Sequence, residues 1–469
     1  MIADSIDERI GRRAWDRPDS LAVVAADGSL TYREMWDRSG RVAARLLGAE
    51  RVAVLPASDL GSVVTVLGAI RAGCSLVLLH RHLLPDHLAS VLEIGRPAAV
   101  IATERGRTRL RRLGVTGTLT SPDDLAAAPA VPLPAPDEAG ELLAGLTSGT
   151  SGTPKLFVRS RRSWSRTLDR SDEEFTVDRH SRVAAPGVLD HTHFLYGLVH
   201  ALTRGAAVDL RPLESWSSAG DVDPTHVYTV PTLAHDIAVS TRPGLAQVRE
   251  VLSSGAFWPR SGRDTLSARV PGARLVHFYG ASELSLVAVD SSTEPVPDGS
   301  AGRLVSGVRT RTVDGVVSVH SDMLFGGYLT HPDHAEPSDG PVNGWTSVGD
   351  RGEIRGGWLF LAGRSSDTIV RGGLKVEPLD VETALRGFPG VLDAACVGEP
   401  DPRMGHVPVA AITVSEPVDR AALRRHLRAH LEAPAMPTRV VTVPALPRTA
   451  RGKLDRPAVL AMIATGPRS

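Results

Sequence analysis

From residue 21 onward the apolar positions follow two rhythms. Leu21–Ala26 (LAVVAA), Arg51–Pro56 (RVAVLP), Ser75–Leu79 and Ala98–Ala102 are short, nearly unbroken apolar runs, the pattern of strands covered on both faces. Between them Tyr32–Leu47 and Leu60–Gly73 place apolar residues every three or four positions, which predicts helices with one buried face. Strand, helix and strand at this pitch predict a parallel, doubly wound sheet. A Pro/Ala-rich stretch, AAAPAVPLPAP, interrupts the pattern at 126–136. It resumes with a helix over His193–Gly205, strands over Ala206–Leu210 and His226–Val230, the segment Pro231–Ser240, and a strand over Ala273–Gly280.

The texture changes twice more. Between about 300 and 362 short β-like runs alternate with Gly, Asp and Asn, predicting a small barrel or an antiparallel sheet. After WLFLAGR the chain reads as a compact α+β unit: a helix near 378–386, strands at 393–399 and 408–414, a helix at 419–431 and a strand at 438–443. The expected fold is therefore α/β, with a large N-terminal domain of doubly wound sheets plus a small β-barrel over 1–362, and a smaller, mobile α+β domain over 363–469. No internal repeat is visible.

Composition narrows the function. The 469 residues balance 53 Lys+Arg against 53 Asp+Glu, with no basic run of the kind that binds nucleic acid or an anionic membrane. No apolar segment has the length of a signal peptide core or a membrane span, so a cytoplasmic location is expected. Cys74 and Cys396 are far apart without CxxC spacing, and read as small core residues rather than a zinc or disulfide site. Only three of the basic residues are lysines, at 155, 375 and 453. A compact ammonium is not interchangeable with a planar guanidinium at a phosphate, so each lysine is a candidate for a site.

Lys155 closes the richest candidate, LTSGTSGTPK (146–155). Its glycines and hydroxyls leave backbone N–H groups open to an anion, the makings of a phosphate nest. No G-x4-G-K-[ST] can be written through it, which excludes a Walker A loop. YGASE (279–283) follows a predicted strand, where open α/β sheets carry ligand-binding residues. SVGD (347–350), GRSSDTIVRGGLKVEP (363–378) and PRTARGKLDR (447–456) come after it in that order.

These segments, with LTYREM near 30 and IRAGCSLVLL near 70, resemble the ordered motifs of the adenylate-forming superfamily: acyl- and aryl-CoA synthetases, adenylation domains of nonribosomal peptide synthetases, and firefly luciferase. The resemblance covers nearly the whole chain. It implies that a carboxylate attacks the α-phosphate of Mg-ATP, releasing pyrophosphate, and that a nucleophile, usually the thiol of CoA or of a carrier protein's phosphopantetheine, then displaces AMP. By the same resemblance Thr147, Ser148, Gly149, Thr150, Ser151, Gly152 and Lys155 hold the β- and γ-phosphates. Gly255 and Ala256 line the adenine, Tyr279 and Gly280 lie against it, and Ser282 touches the α-phosphate. Glu283 binds Mg2+, Asp350 holds the ribose hydroxyls, and Arg364 reaches ribose or phosphate. Lys453 bridges the attacking carboxylate and the α-phosphate as charge builds there.

By the same resemblance the helix around HFLYG is similar to that of aryl- and acyl-CoA ligases, which implies that His191 and His193 border the acid pocket or its helix, that Tyr196 and Gly197 belong to the pocket, and that Gly373 falls in the segment lining the acceptor tunnel. Lys375, beside it, fits that segment or a solvated loop equally well. Two departures stand out. Ser366 occupies the hinge position where Asp or Lys is usual, and Val370 replaces a usual lysine. Asp190 lies two residues out of register for the aspartate that pairs with the ammonium of an amino-acid substrate. The expected enzyme is an ATP-dependent ligase for a small aryl or short acyl acid, transferring it to CoA or a carrier thiol. An adenylating enzyme with a nitrogen acceptor, a stand-alone amino-acid-activating enzyme, and a non-catalytic nucleotide-binding protein are the alternatives; oligomeric state leaves no trace in the sequence.

Overall fold

The computed structural model describes residues 4–81, 83, 85–115, 117–129, 131–146, 155–216, 223–240, 245–256, 258, 260–291, 296–330, 339–364, 367–371, 374–401, 404–431, 433–449 and 452–465. They form two compact units, Met1–Arg309 with Val319–Thr346, and Thr310–Ser318 with Ser347–Ser469. The strands Asp350–Arg355 and Trp358–Arg364 of the second unit form a hairpin whose Arg351 pairs with Glu377 at 3.0 Å. That ion pair ties the hairpin to the start of the helix Pro378–Arg386.

The first unit contains two sheets. In one, Leu21–Ala25, Ala207–Asp209, Arg182–Ala184, His226–Thr229, Glu250–Ser253 and Arg274–Ala281 run parallel in that spatial order. Antiparallel strands Gly28–Thr31 and Ser285–Ser291 flank them. In the other, Leu119–Thr120, Val100–Ala102, Arg51–Leu55, Ser75–Leu78 and Glu141–Leu146 are parallel, followed by antiparallel Leu156–Ser160 and Gly327–Leu329. The central strands are mostly apolar, as burial on both faces favours; Arg51–Leu55 and Ser75–Leu78 are buried at every position, with Arg51 paired to Glu141.

Local chemistry starts and stops the crossovers. Thr31 caps the helix Tyr32–Leu46 in a reciprocal capping box with Glu34, satisfying two otherwise orphan N–H groups. Asp59 caps Leu60–Ala72, which ends at Gly73 in the left-handed region. The helix Arg161–Glu174, absent from the hydrophobic reading because its mean character is polar, still buries Trp164 and Leu168. Between 300 and 346 the described strands pair antiparallel with neighbours from both sheets: Ser300–Leu304 with Ser285–Ser291, and Gly327–Leu329 with Leu156–Ser160.

In the second unit Val391–Asp401 and Gly405–Val414 form a long antiparallel pair, with Arg439–Thr442 parallel to the latter. Helices Pro378–Arg386 and Arg420–His430 bury Val381, Leu385, Leu423 and Leu427 together with sheet residues Ala394, Cys396, Ala410 and Ile412. Cys74 and Cys396 are both buried and unbridged; burial pushes the Cys74 thiol up to about 11, so it packs as a neutral apolar residue. No helix among the described residues is long and apolar enough to cross a membrane.

Candidate active site

The C-terminal ends of the neighbouring parallel strands Glu250–Ser253 and Arg274–Ala281 carry Gly255, Ala256, Tyr279, Gly280, Ser282 and Glu283. Ser253 and His277 are register partners on neighbouring strands, and the Ser254 hydroxyl donates to the Phe278 carbonyl at 2.8 Å. That bond brings Gly255, with φ of +90°, and Ala256 beside Tyr279 and Gly280. One strand further along the sheet, Nε2–H of His193 donates to the Thr229 carbonyl at 2.8 Å. Its ring lies 5.6 Å from that of Phe278 and 5.5 Å from that of Tyr228. Burial depresses the His193 pKa to about 4, with His191 adding to the effect, so the imidazole is neutral at physiological pH.

Tyr279 and Gly280 lead into a turn at Ser282–Leu284 that reverses the strand. A Cβ on Gly280 would lie 2.1 Å from the Ser285 carbonyl oxygen, so no other residue fits this crossing. Glu283 sits in the turn and is 9% exposed. Its Oε1 accepts from the Tyr328 hydroxyl at 2.9 Å, and its backbone carbonyl accepts from Phe325 N–H at 3.0 Å. Tyr328 is the register partner of Phe157, two residues beyond Lys155, and the exposed Lys155 Nζ lies 5.6 Å from the centre of the Tyr328 ring. Lys155 and a carboxylate 128 positions later in the chain thus both reach the side chain of Tyr328.

Among the described residues the Tyr328 hydroxyl donates to the Glu283 carboxylate. No group of three His, Cys, Asp or Glu capable of holding a metal exists among the described residues. One anchored carboxylate fits a Mg2+ ion whose remaining ligands are phosphate oxygens and water.

Two of the expected pocket residues face elsewhere. Gly197 opens no space: a Cβ there would meet the Tyr228 ring at 2.8 Å, so this glycine admits the tyrosine. The Tyr196 hydroxyl is 2.6 Å from the Ser171 hydroxyl, and its ring meets Trp164 edge-on. Burial raises its pKa, and it braces one helix on another. Behind them His200 links Tyr228 at 2.8 Å to Asp172 at 3.1 Å. Oδ2 of Asp190 accepts from the Arg81 backbone N–H at 3.0 Å and lies 3.6 Å from that residue's guanidinium and 3.9 Å from His80 Nε2.

In the second unit, Asp350 and Arg364 are register partners on adjacent strands, and Asp350 is buried. Lys453 follows Gly452, whose φ is +75°, in a tight loop. Thr449 N–H donates to the Lys453 carbonyl at 2.7 Å, and Arg448 donates to the Gly452 carbonyl at 3.0 Å. Thr147, Ser148, Gly149, Thr150, Ser151, Gly152, Ser366 and Gly373 lie outside the described residues. Arg159 and Tyr328 escaped the sequence reading; the signal for Arg159 was a charged residue in the apolar run LFVRS.

Residues 11–328 match the model of the AMP-binding enzyme family, and residues 380–453 match its C-terminal domain. The chain therefore belongs to the AMP-binding enzyme family. It is 30% identical to an uncharacterised acyl–CoA ligase, YhfT, of Bacillus subtilis, over 94% of each chain. Among solved structures it superposes on ATP-bound MatB from Rhodopseudomonas palustris with a TM-score of 0.85 at 22% identity, covering 98% of this chain and 99% of that one. Anthranilate CoA ligase AuaEII in complex with anthranoyl-AMP gives 0.86 at 20% identity, covering 99% of each. The protein is an AMP-forming acid ligase that activates a carboxylic acid with ATP.

Proposed function

We propose that the enzyme converts a small aryl or short acyl acid to its adenylate and then to a thioester of CoA, with a phosphopantetheine-bearing carrier as the other thiol acceptor. The observation that carries this reading is the meeting of Lys155, Tyr328 and Glu283 at one place. An ammonium for the leaving pyrophosphate and a carboxylate for its counter-ion are needed together in phosphoryl chemistry. In the first step an oxygen of the substrate carboxylate bonds to the α-phosphorus as the bond to pyrophosphate breaks. Lys155 stabilises the departing phosphates, and Glu283 holds the ion; bound Mg2+ neutralises phosphate charge. Asp350 and Arg364 orient the ribose, and Lys453 supplies a positive charge to the oxygens that gain charge. In the second step the thiol sulfur attacks the carbonyl carbon, AMP leaves with the bonding pair, and the thiol proton passes to solvent.

A domain boundary near 363 with a hinge at Ser366 fits a tail that serves the two steps in turn, and a cytoplasmic location fits ATP and CoA as substrates. The neutral His193 and its aromatic neighbours favour an uncharged acid body over an α-ammonium, since an unpaired buried charge is costly. The test is acid-dependent ATP–pyrophosphate exchange over aryl, short acyl, β-amino and α-amino acids, followed by product mass spectra with CoA, carrier protein and an amine offered separately. Exchange with aryl or short acyl acids and a CoA or carrier thioester is expected. Selective exchange with one α-amino acid, or an amide as the sole product, would overturn the reading.

A further inference from the structure

Arg159 is 5% exposed, yet among the described residues all its hydrogen bonds go to neutral acceptors. Nε donates to the Ser163 hydroxyl at 3.0 Å, and Nη2 donates to the Ser163 carbonyl and the Thr167 hydroxyl, each at 3.2 Å. Nη1 crosses to the other strand pair and donates to the Ser282 carbonyl at 3.2 Å. Burial is the main influence on the guanidinium and disfavours its charge; the field of Glu283, the residue after Ser282, opposes that. Desolvation of an arginine is expensive, and apolar replacements of buried ionic groups are often neutral or stabilising. Fold stability alone therefore gives little reason for a cation here.

A second contact lies on the far side of the same turn. The Thr167 hydroxyl, itself an acceptor for Arg159, lies 2.6 Å from the Ser285 hydroxyl. Ser285 has a φ of +66°, a left-handed conformation that a non-glycine residue keeps only when its surroundings enforce it. Arg159 and Thr167 thus grip the turn at both ends, at Ser282 and at Ser285, with Glu283 between. Arg159 also belongs to the strand that begins just after Lys155 and pairs with the strand of Tyr328.

We propose that Arg159 is a positioning residue: from beneath the Ser282–Leu284 turn it fixes the direction in which the Glu283 carboxylate meets the metal of the bound nucleotide. This rests on Glu283 being the metal-holding carboxylate. Removing the guanidinium leaves the Ser282 carbonyl without its donor and frees the turn, so the carboxylate loses its set direction. Nucleotide contacts that do not pass through the metal are unaffected.

The test is calorimetric binding of α,β-methylene-ATP to the whole chain, once with saturating Mg2+ and once in EDTA. The ratio of the two affinities isolates the contribution of the metal. Arg159→Met is expected to lower that ratio by about tenfold, the scale on which residues behind metal ligands act, with the EDTA affinity within about twofold of wild type. Arg159→Lys, which keeps a cation and one donor direction, is expected to fall less. Glu283→Gln is expected to lower the ratio at least as far as Arg159→Met. A wild-type ratio in Arg159→Met beside a lowered ratio in Glu283→Gln would overturn the positioning role and leave the metal assignment standing. A wild-type ratio in Glu283→Gln would overturn both. If Arg159→Met does not fold, Thr167→Val decides: a ratio lowered about threefold supports the grip, and an unchanged ratio removes it.

Discussion

The turn that presents Glu283 is gripped by side chains from distant parts of the chain, Arg159, Thr167 and Tyr328. The loop that presents Lys453 is held mainly by its own backbone, with Arg448 bracing it through Gly452 and reaching Asp393 at 2.7 Å. The first arrangement fixes a carboxylate with groups from both sheets of its unit. In the second, Thr449 and Arg448 of the same unit bond the backbone at Lys453 and Gly452. A residue that holds a resident ion gains from a fixed direction, whereas one needed in a single step gains from a loop that travels intact with its domain.

The strongest way to break this comparison is Lys453→Ala. Acyl-adenylate formation is expected to fall by about 10²–10³, while transfer from synthetic adenylate to the thiol continues at a comparable rate. Rapid-quench measurement of the two half-reactions separates them, and equal damage to both would end the idea that the lysine serves one step. Next comes a pair of glycine variants. Gly280→Ala forces a methyl group against the Ser285 carbonyl, with an expected cost of about 1–3 kcal/mol in chemical denaturation and loss of exchange activity. Gly452→Ala places a side chain at positive φ with an expected cost of about 1 kcal/mol. If Gly452→Ala proved the costlier of the two, the Lys453 loop would be the more tightly specified region.

Tyr328→Phe removes one hydrogen bond to a carboxylate, and about 1.5–3 kcal/mol of Mg2+-dependent exchange activity is expected to go with it; an unchanged Mg2+ response would detach Tyr328 from the site. The smallest effect is one of pH on stability. His193 and His226 have pKa values lowered to about 4 by burial, and His277 to about 3. In the unfolded chain each takes up its proton near the ordinary value, so stability falls as pH drops from about 6.5 toward the folded values. Urea midpoints measured between pH 8 and pH 4.5 are expected to decline only below about 6.5, and His277→Asn is expected to flatten part of that decline. A midpoint constant across the range would contradict the neutral burial of these rings.

Much of the fold was legible because its signals are local. The runs at 51–56 and 75–79 became buried parallel strands, and the stretches at 32–47 and 60–73 became capped crossover helices close to the expected limits. In the C-terminal unit, helices over Pro378–Arg386 and Arg420–His430 and a strand over Arg439–Thr442 follow the predicted pattern. The helix Arg161–Glu174 was not legible, since its buried face carries serine, threonine and arginine, whose burial depends on hydrogen bonds made to other elements. In 300–362 most antiparallel partners are near in sequence, but Gly327–Leu329 pairs with Leu156–Ser160, a distant partner that short runs with Gly and Asp between them do not name.

The sequence by itself determined the family, through motifs that resemble it in their order along the chain, with a lysine at 155 and at 453 and a carboxylate at 283 and at 350. What it left undetermined is which side chains support them. Gly197 and Tyr196 read as pocket residues from their place on a helix, but one is filled by Tyr228 and the other is bonded to Ser171. Arg159 read as nothing, yet it meets Ser282 across 123 positions of chain. Motifs are residue types at short spacings along the chain, so sequence carries them; packing and hydrogen bonding between strands of separate origin are set by three-dimensional register, and only the tertiary structure decides those.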